Sequence, residues 1–101
     1  MYTIEYAKDA FCWNEEKNHA NYRRHRVWFE EALAIWADES AVEFFDPDHS
    51  TDEERYIRVG YSRVSRLLLV VGCERDEGET IRVISARKAT KNERSQYEEG
   101  I

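Results

Sequence analysis

The sequence predicts an α+β fold, with two N-terminal helices packed on an antiparallel sheet of about four to five strands and a C-terminal helix after it. Three observations carry this prediction. Apolar residues recur at helical spacing between Val27 and Trp36, alternating and β-branched segments follow one another from Tyr56 to Ala86, and Thr90-Lys91-Asn92-Glu93 is a capping-box signature. With 101 residues, 42% of them hydrophobic and 36% charged, the chain suits a single domain over residues 1–101 with one core and a heavily ionic surface.

Tyr2, Ile4 and Tyr6 alternate at period two and predict a strand within Met1–Phe11, with a turn at Lys8–Ala10 before Phe11. Asn14 offers a helix N-cap. Glu15 and Glu16 then fall at the positive end of the helix dipole and Arg23, Arg24 and His25 at its negative end, so a helix is predicted from Glu15 to His25. Its apolar content is thin, Ala20 and Tyr22 alone, and packing does not explain its other faces. Phe29, Ala32, Leu33 and Trp36 fall at i, i+3, i+4 and i+7 and predict a second, core-facing helix that begins near Val27 and ends near Asp38. A short strand at Ala41–Phe45 precedes an acidic loop, Asp46–Glu54, in which Pro47 biases Asp46 away from helix. Ile57, Val59 and Tyr61 share one face of a strand at Tyr56–Ser62, Leu67–Gly72 is nearly all apolar, and Ile81–Ala86 is rich in β-branched residues. Turns at Ser62–Arg66 and Asp76–Glu79 link these three into a meander, and the last helix stops at Gly100.

Composition excludes several function classes. The longest uncharged apolar run, Leu67–Gly72, is far below the roughly 20 residues of a membrane span. Met1–Ala10 carries Glu5, Lys8 and Asp9 in place of a signal peptide's basic end and apolar stretch, which points to a cytoplasmic protein with no membrane partner. Cys12 and Cys73 stand in no metal or redox spacing and are expected to be buried thiols. His19, His25 and His49 show no ligand spacing, Ser85 sits in no nucleophile elbow, and no glycine-rich phosphate loop is present. A net charge of −6 argues against a general nucleic-acid binder, but the charge is uneven. Residues 1–54 hold 5 Lys and Arg against 14 Asp and Glu, whereas residues 55–101 hold 10 against 7. The two halves either meet different partners or are both ordinary solvated surface.

Phe11-Cys12-Trp13-Asn14-Glu15-Glu16-Lys17-Asn18 resembles the opening of the BrnT family, in which Phe-x-Trp-Asp precedes a Lys and a later Asn. Arg24-His25-Arg26-Val27 followed by Phe29-Glu30-Glu31-Ala32 is similar to that family's Lys-His-Gly-Val segment and its Phe-x-Glu-Ala. Asp52-Glu53-Glu54-Arg55-Tyr56 with Val59-Gly60 resembles its acidic-Glu-Arg strand start. The strongest block is Ile81-Arg82-Val83-Ile84-Ser85-Ala86-Arg87-Lys88-Ala89, with Glu93 and Tyr97 after it. The blocks run in order over about positions 11–99. Three positions depart from the family: Asn14 replaces Asp, Arg26 replaces the common Gly, and Trp28 replaces a capping Ser or Thr. Asn14 still caps a helix, but Arg26 lacks the easy left-handed turn of Gly and Trp28 has no capping oxygen, so the helix junction is expected to differ. The resemblance implies a RelE-like fold and a ribonuclease toxin of a type II toxin-antitoxin system that cleaves RNA without a required metal or other cofactor. It further implies inhibition of translation and growth until a BrnA-like antitoxin binds. That antitoxin would contact DNA through a ribbon-helix-helix domain, leaving the toxin only an indirect DNA partner.

Cleavage of that kind uses the 2′-hydroxyl of RNA as nucleophile and needs a base for its proton, an acid for the leaving 5′-oxygen and cations for the phosphate. Lys17, Asn21 and His25, at i, i+4 and i+8, set a cation, an amide and an imidazole on one helical face. That face is either a site or a solvated surface on which His25 complements the helix end. Glu54 is the candidate general base, its rival role being an ion pair with Arg55 or Arg58. A regular strand points Arg82 to the face of Ile84 and Arg87 to that of Val83 and Ser85, which gives them different tasks: Arg87 with Lys88 clamps phosphate, Arg82 braces the fold, or both are structural. Tyr97 either stacks on a base or anchors the last helix. The candidate catalytic residues are thus Glu54, His25, Arg87 and Lys88, and the candidate substrate-binding residues Lys17, Arg55, Arg82 and Tyr97. Trp36 is assigned to the core, while spacing leaves Trp13 and Trp28 open. The alternative function is a non-catalytic module that keeps the fold and completes an antitoxin or repressor complex.

Overall fold

The structure, a computed structural model, describes residues 3–6, 9–45, 55–75 and 80–100. A strand hairpin comes first, β1 (Thr3–Tyr6) with β2 (Asp9–Cys12), and leads into helix α1 (Glu15–His25). A single α-helical turn, α2 (Phe29–Ala32), tightens into a 3₁₀ segment, Leu33–Ala37. Strands β3 (Val42–Phe45), β4 (Arg55–Tyr61), β5 (Leu67–Arg75) and β6 (Thr80–Lys88) follow, then helix α3 (Lys91–Glu99). The described strands form one six-stranded sheet in the order β1-β2-β6-β5-β4-β3, antiparallel throughout except for the parallel pair β2 and β6.

The class is α+β, as expected, but the RelE-like layout with two N-terminal helices on an antiparallel sheet is not matched. A hairpin precedes the helices, because Asp9–Cys12 pairs both with β1 and with β6 and so turns the expected first strand into two. The second helix keeps α geometry for four residues only. In the tighter 3₁₀ winding, with three residues per turn, Leu33 and Ile35 are buried and Trp36 packs against the same core.

Phe11, Val27, Phe29, Ile35, Leu68, Val70, Val83 and Ala86 form the main core between the sheet and the α1, α2 and 3₁₀ segments, each at most 2% exposed. Trp13 joins them, and Trp36 meets Phe11 edge to face. On the reverse face a smaller cluster of Val59, Leu67 and Leu69 lies under Ala89, which precedes α3, and Tyr97 in its last turn. Cys12 and Cys73 are buried thiols, in line with the sequence. Gly60 admits the end of the 3₁₀ segment onto β4: a Cβ there would stand 3.1 Å from that of Ile35 and 3.2 Å from Asp38 Oδ2.

Because α1 is poor in apolar residues, two buried asparagines fasten it. The Asn21 amide donates from Nδ2 to the carbonyls of Val27 and Ala86 and accepts the Ala86 N–H at Oδ1, at 2.9, 2.8 and 3.1 Å. It therefore pairs with the edge of β6 where β2 no longer does. Asn18 Oδ1 accepts the N–H of Phe29, while its Nδ2 donates to Glu30. Asn18 thus supplies the cap that Trp28, at the N-cap of α2, cannot. Asn14 caps α1 by accepting the Lys17 N–H. Arg26 does adopt the left-handed turn expected of glycine, at φ 59° and ψ 33°, held by its N–H bond to Tyr22 and by Arg66 donating to its carbonyl.

Two measurements test this junction. Asn21→Ala strands three backbone groups in the interior and lowers stability by about 3 kcal/mol in urea unfolding, against about 1 kcal/mol for the exposed cap change Asn14→Ala. Arg26→Gly is more stable than Arg26→Ala by about 1 kcal/mol, since both lose the side chain and only glycine relieves the left-handed backbone. Equal stabilities of the two Arg26 variants would contradict the strained-turn account.

Candidate functional site

Past Cys12 and Arg82, β2 and β6 part and the edge of β6 is left to α1. Between that edge and the helix runs a groove of about 420 Å³ lined by Lys17, Ala20, Asn21, Arg24, His25, Ile84 and Ser85. Lys17, Asn21, Arg24 and His25 are one helical stripe, and Asn21 locks that stripe against the sheet. The lining holds two permanent cations and a histidine but no aspartate or glutamate. In a chain of net charge −6 this is a local reversal of sign.

The sheet wall of the groove, Ile84 and Ser85, lies at a bulge in β6. Val71 pairs with Ser85 and Gly72 with Val83, so Ile84 is the extra residue and the alternation of β6 reverses there. Val83 and Ala86 both face the core as a result. The strict alternation that separated Arg82 from Arg87 is therefore corrected: Arg82 and Arg87 share one face, with Ser85 between them at the groove, while Val83 turns toward the core. Arg55 stands on the same face in one row with Cys73, Arg82 and Cys12 across four strands. Arg55 and Arg82 are both engaged within the chain.

Of the residues singled out by sequence, the groove brings together Lys17 and His25, with Asn21 as their structural anchor. It does not gather the rest. Arg87 donates two hydrogen bonds to the Glu93 carboxylate, at 2.8 and 2.9 Å, on the α3 side of the sheet. Lys88 points the other way, in register with core-facing Leu68, where its charge helps to lower the pKa of Glu31. Tyr97 donates its hydroxyl to Asp38 at 2.8 Å and sets its ring edge-on to Tyr61, which anchors α3. Glu54, with the whole loop Asp46–Glu54 and His49, lies outside the described residues. Arg24 is the groove residue that sequence candidates omit; its spacing of seven from Lys17 is the signal that marks it.

Elsewhere in the fold three acids are tied down by hydrogen bonds. Glu31 is partly buried, which alone would raise its pKa, yet hydrogen bonds from Arg66 and Ser62 outweigh burial and hold it below the ordinary value. Arg66 is raised in turn by the same pair. Asp38 is likewise raised by burial and brought lower overall by the N–H groups of Tyr61 and Ser40 and the Tyr97 hydroxyl. Arg87 lowers Glu93, assisted by the capping-box bond from the Thr90 N–H. Among the described residues no cluster of His, Cys, Asp or Glu is arranged to hold a metal ion, and no helix is long and apolar enough to cross a membrane.

A mixed sheet with α1, α2 and the 3₁₀ segment on one face and α3 on the other, and a carboxylate-free cationic groove where β6 meets α1, defines a small α+β protein equipped to hold an anion. A family model described as the ribonuclease toxin BrnT of type II toxin-antitoxin systems matches residues 13–93, and the chain belongs to that family. The crystal structure of the Brucella abortus ribonuclease toxin BrnT, at 1.1 Å, is similar in fold, with a TM-score of 0.59 and 21% identity over 80% of this chain and 96% of that one. Among curated protein sequences none matches.

The depressed carboxyls set an acid limit. Glu31, Asp38 and Glu93 contribute stability that is present above their unfolded values, about 4, and lost as pH falls through their lower folded values. Thermal unfolding followed between about pH 6 and pH 2 is expected to show that loss. Asp38→Asn, already less stable at neutral pH, shows a shallower decline, and a slope identical to that of the parent protein would remove Asp38 from the account.

Proposed function

We propose that the chain is an endoribonuclease toxin that holds RNA along the α1–β6 groove. The observation that carries this reading is the meeting of Lys17, Arg24 and His25 in one groove without a carboxylate. Lys17 and Arg24 take the phosphate, whose extra charge in the transition state they offset. His25, at the C-terminal end of α1, takes or gives the proton, with Glu54 as the second acid–base group. In the step itself the base removes the 2′-hydroxyl proton, the 2′-oxygen forms a bond to phosphorus, and the bond to the 5′-oxygen breaks as that oxygen is protonated. The products are a 2′,3′-cyclic phosphate and a 5′-hydroxyl. Because the nucleophile belongs to the substrate, no metal-bound water is required. To neighbouring phosphates we further assign Arg55, Arg82 and Arg87, on the α3 side of the sheet, and Lys88, on its other face, with Tyr97 of α3 as a ring on which a base can stack.

Supporting this reading are the membership of a ribonuclease toxin family and the local sign reversal in an acidic chain. It also supplies a partner, since such a toxin is paired with an antitoxin. We take that antitoxin to be BrnA-like, with the ribbon-helix-helix domain making the only DNA contact, and the site of action to be the cytoplasm, where RNA cleavage stops translation and growth.

Purified chain incubated with RNA in the presence of a chelator yields fragments ending in a cyclic phosphate. His25→Ala lowers the rate by about a hundredfold or more, while Lys17→Ala and Arg24→Ala act mainly on KM. RNA that stays intact at full expression of folded protein sinks the enzymatic reading. A cellular phenotype untouched by His25→Ala, Glu54→Ala and Arg87→Ala together would favour the non-catalytic module instead.

A further inference from the structure

On the opposite flank of α1 lies a second groove, of about 480 Å³, lined by Glu15, Asn18, His19, Trp28, Glu30 and Glu31. Its sign is the reverse of the first, with three carboxylates and no lysine or arginine in the lining. Arg66 neutralises Glu31. Glu15 and Glu30, in contrast, accept from neutral donors, the Trp13 indole N–H at 2.6 Å and the Asn18 amide at 2.8 Å; His19 Nε2 stands 3.9 Å from Glu15, and among the described residues no lysine or arginine pairs with either carboxylate. Trp28 supplies the apolar wall. Its ring stacks on Tyr22, with centroids 4.2 Å apart and planes 12° apart, and meets His19 edge to face, yet 36% of the residue stays exposed. Trp28 gives α2 no cap, since Asn18 does that, so the local backbone makes no demand for an indole here.

We propose that this groove docks an arginine-bearing, basic segment of the antitoxin, its guanidinium lying against Trp28 and forking toward the Glu15 and Glu30 carboxylates. A planar, weakly hydrated guanidinium suits an aromatic wall beside two carboxylates better than an ammonium does. Three carboxylates in a lining without lysine or arginine make the groove complementary in charge to a basic segment. A half-exposed tryptophan in a pocket is also the residue type that most often dominates an interface. The partner's identity rests on the toxin-antitoxin reading, but the docking does not depend on RNA cleavage.

The probe is acetyl-Gly-Arg-Gly-Arg-Gly-amide titrated into the full chain, followed by nitrogen-edited NMR, beside the same peptide with citrulline for arginine. The arginine peptide shifts the Trp28 indole N–H and the His19 and Glu30 amides, and the uncharged peptide does not. Glu15→Gln with Glu30→Gln keeps both internal hydrogen bonds while removing the charges, and weakens binding about tenfold; Trp28→Ser does the same. Shifts confined to another surface, equal binding of the citrulline peptide, or full affinity in the double glutamine variant overturns the proposal. So does an RNA oligonucleotide, or a rise in the chain's own concentration, that produces the Trp28 shifts by itself. RNA cleavage by these variants stays at the parent level. A chain that binds the peptide and never cleaves RNA removes the enzymatic reading and leaves the docking intact.

Discussion

The three hydrogen bonds of the Asn21 amide are the contact on which the arrangement of helix and sheet depends. Where β2 leaves β6, the N–H and carbonyl of Ala86 would be buried without a strand to meet them, at a cost comparable to a lost hydrogen bond each. An amide reproduces the donor and acceptor of a missing neighbour. Asp lacks the donor, a leucine lacks both, and Gln carries its amide one methylene too far out. The second Nδ2 hydrogen goes to Val27, which fixes the chain just after the left-handed turn at Arg26. One side chain thereby sets the register of α1 on the sheet and the direction in which the chain leaves it.

The same constraint positions the groove. With Asn21 pinned, Lys17 one turn before it and Arg24 and His25 one turn after it are committed to the β6 edge. The opposite flank of the helix then receives Glu15 and His19 beside Trp28. A helix with few apolar residues is thus a partition between a cationic and an anionic surface, and that explains its composition better than packing does. Net charge matters little at this scale, because salt screens exposed charges beyond about 8 Å. Several of the remaining acids are spent internally, Glu93 on Arg87, Glu31 on Arg66 and Glu43 on Arg58.

Much of this was legible in the sequence. The limits of α1, the Asn14 cap, the capping box closing on Gly100, and the three long strands follow from local chemistry that tertiary packing did not override. What escaped is non-local. A bulge is one residue that pairs with nothing, and no periodicity announces it, so the parity of Arg82 and Arg87 came out reversed. Asn18 and Asn21 look like surface residues on a polar helix until a second element is known to need their amides. Lys17 and His25 were legible as a pair because both lie on one helical stripe; Arg24 belongs to that stripe but also suits the helix dipole, and the simpler role hid the other.

The polar residues that join helices to sheet divide by how tightly the fold holds them. Asn21 cannot be released, because its partners are buried backbone groups. Arg87 is different: its side chain is 36% exposed and that of Glu93 20%, and a partly exposed ion pair contributes only about 0–1 kcal/mol. A phosphate offers the same planar donors a partner of higher charge, so the pair is weak enough for one anion to replace another. Tyr97 holds α3 through Asp38, and α3 has no buried residue of its own, so the helix depends on such polar contacts. The structural duties of Arg87 are therefore compatible with a role in binding, whereas those of Asn21 are not, which leaves Lys17, Arg24 and His25 as the groove's ionisable side chains not committed to holding the fold.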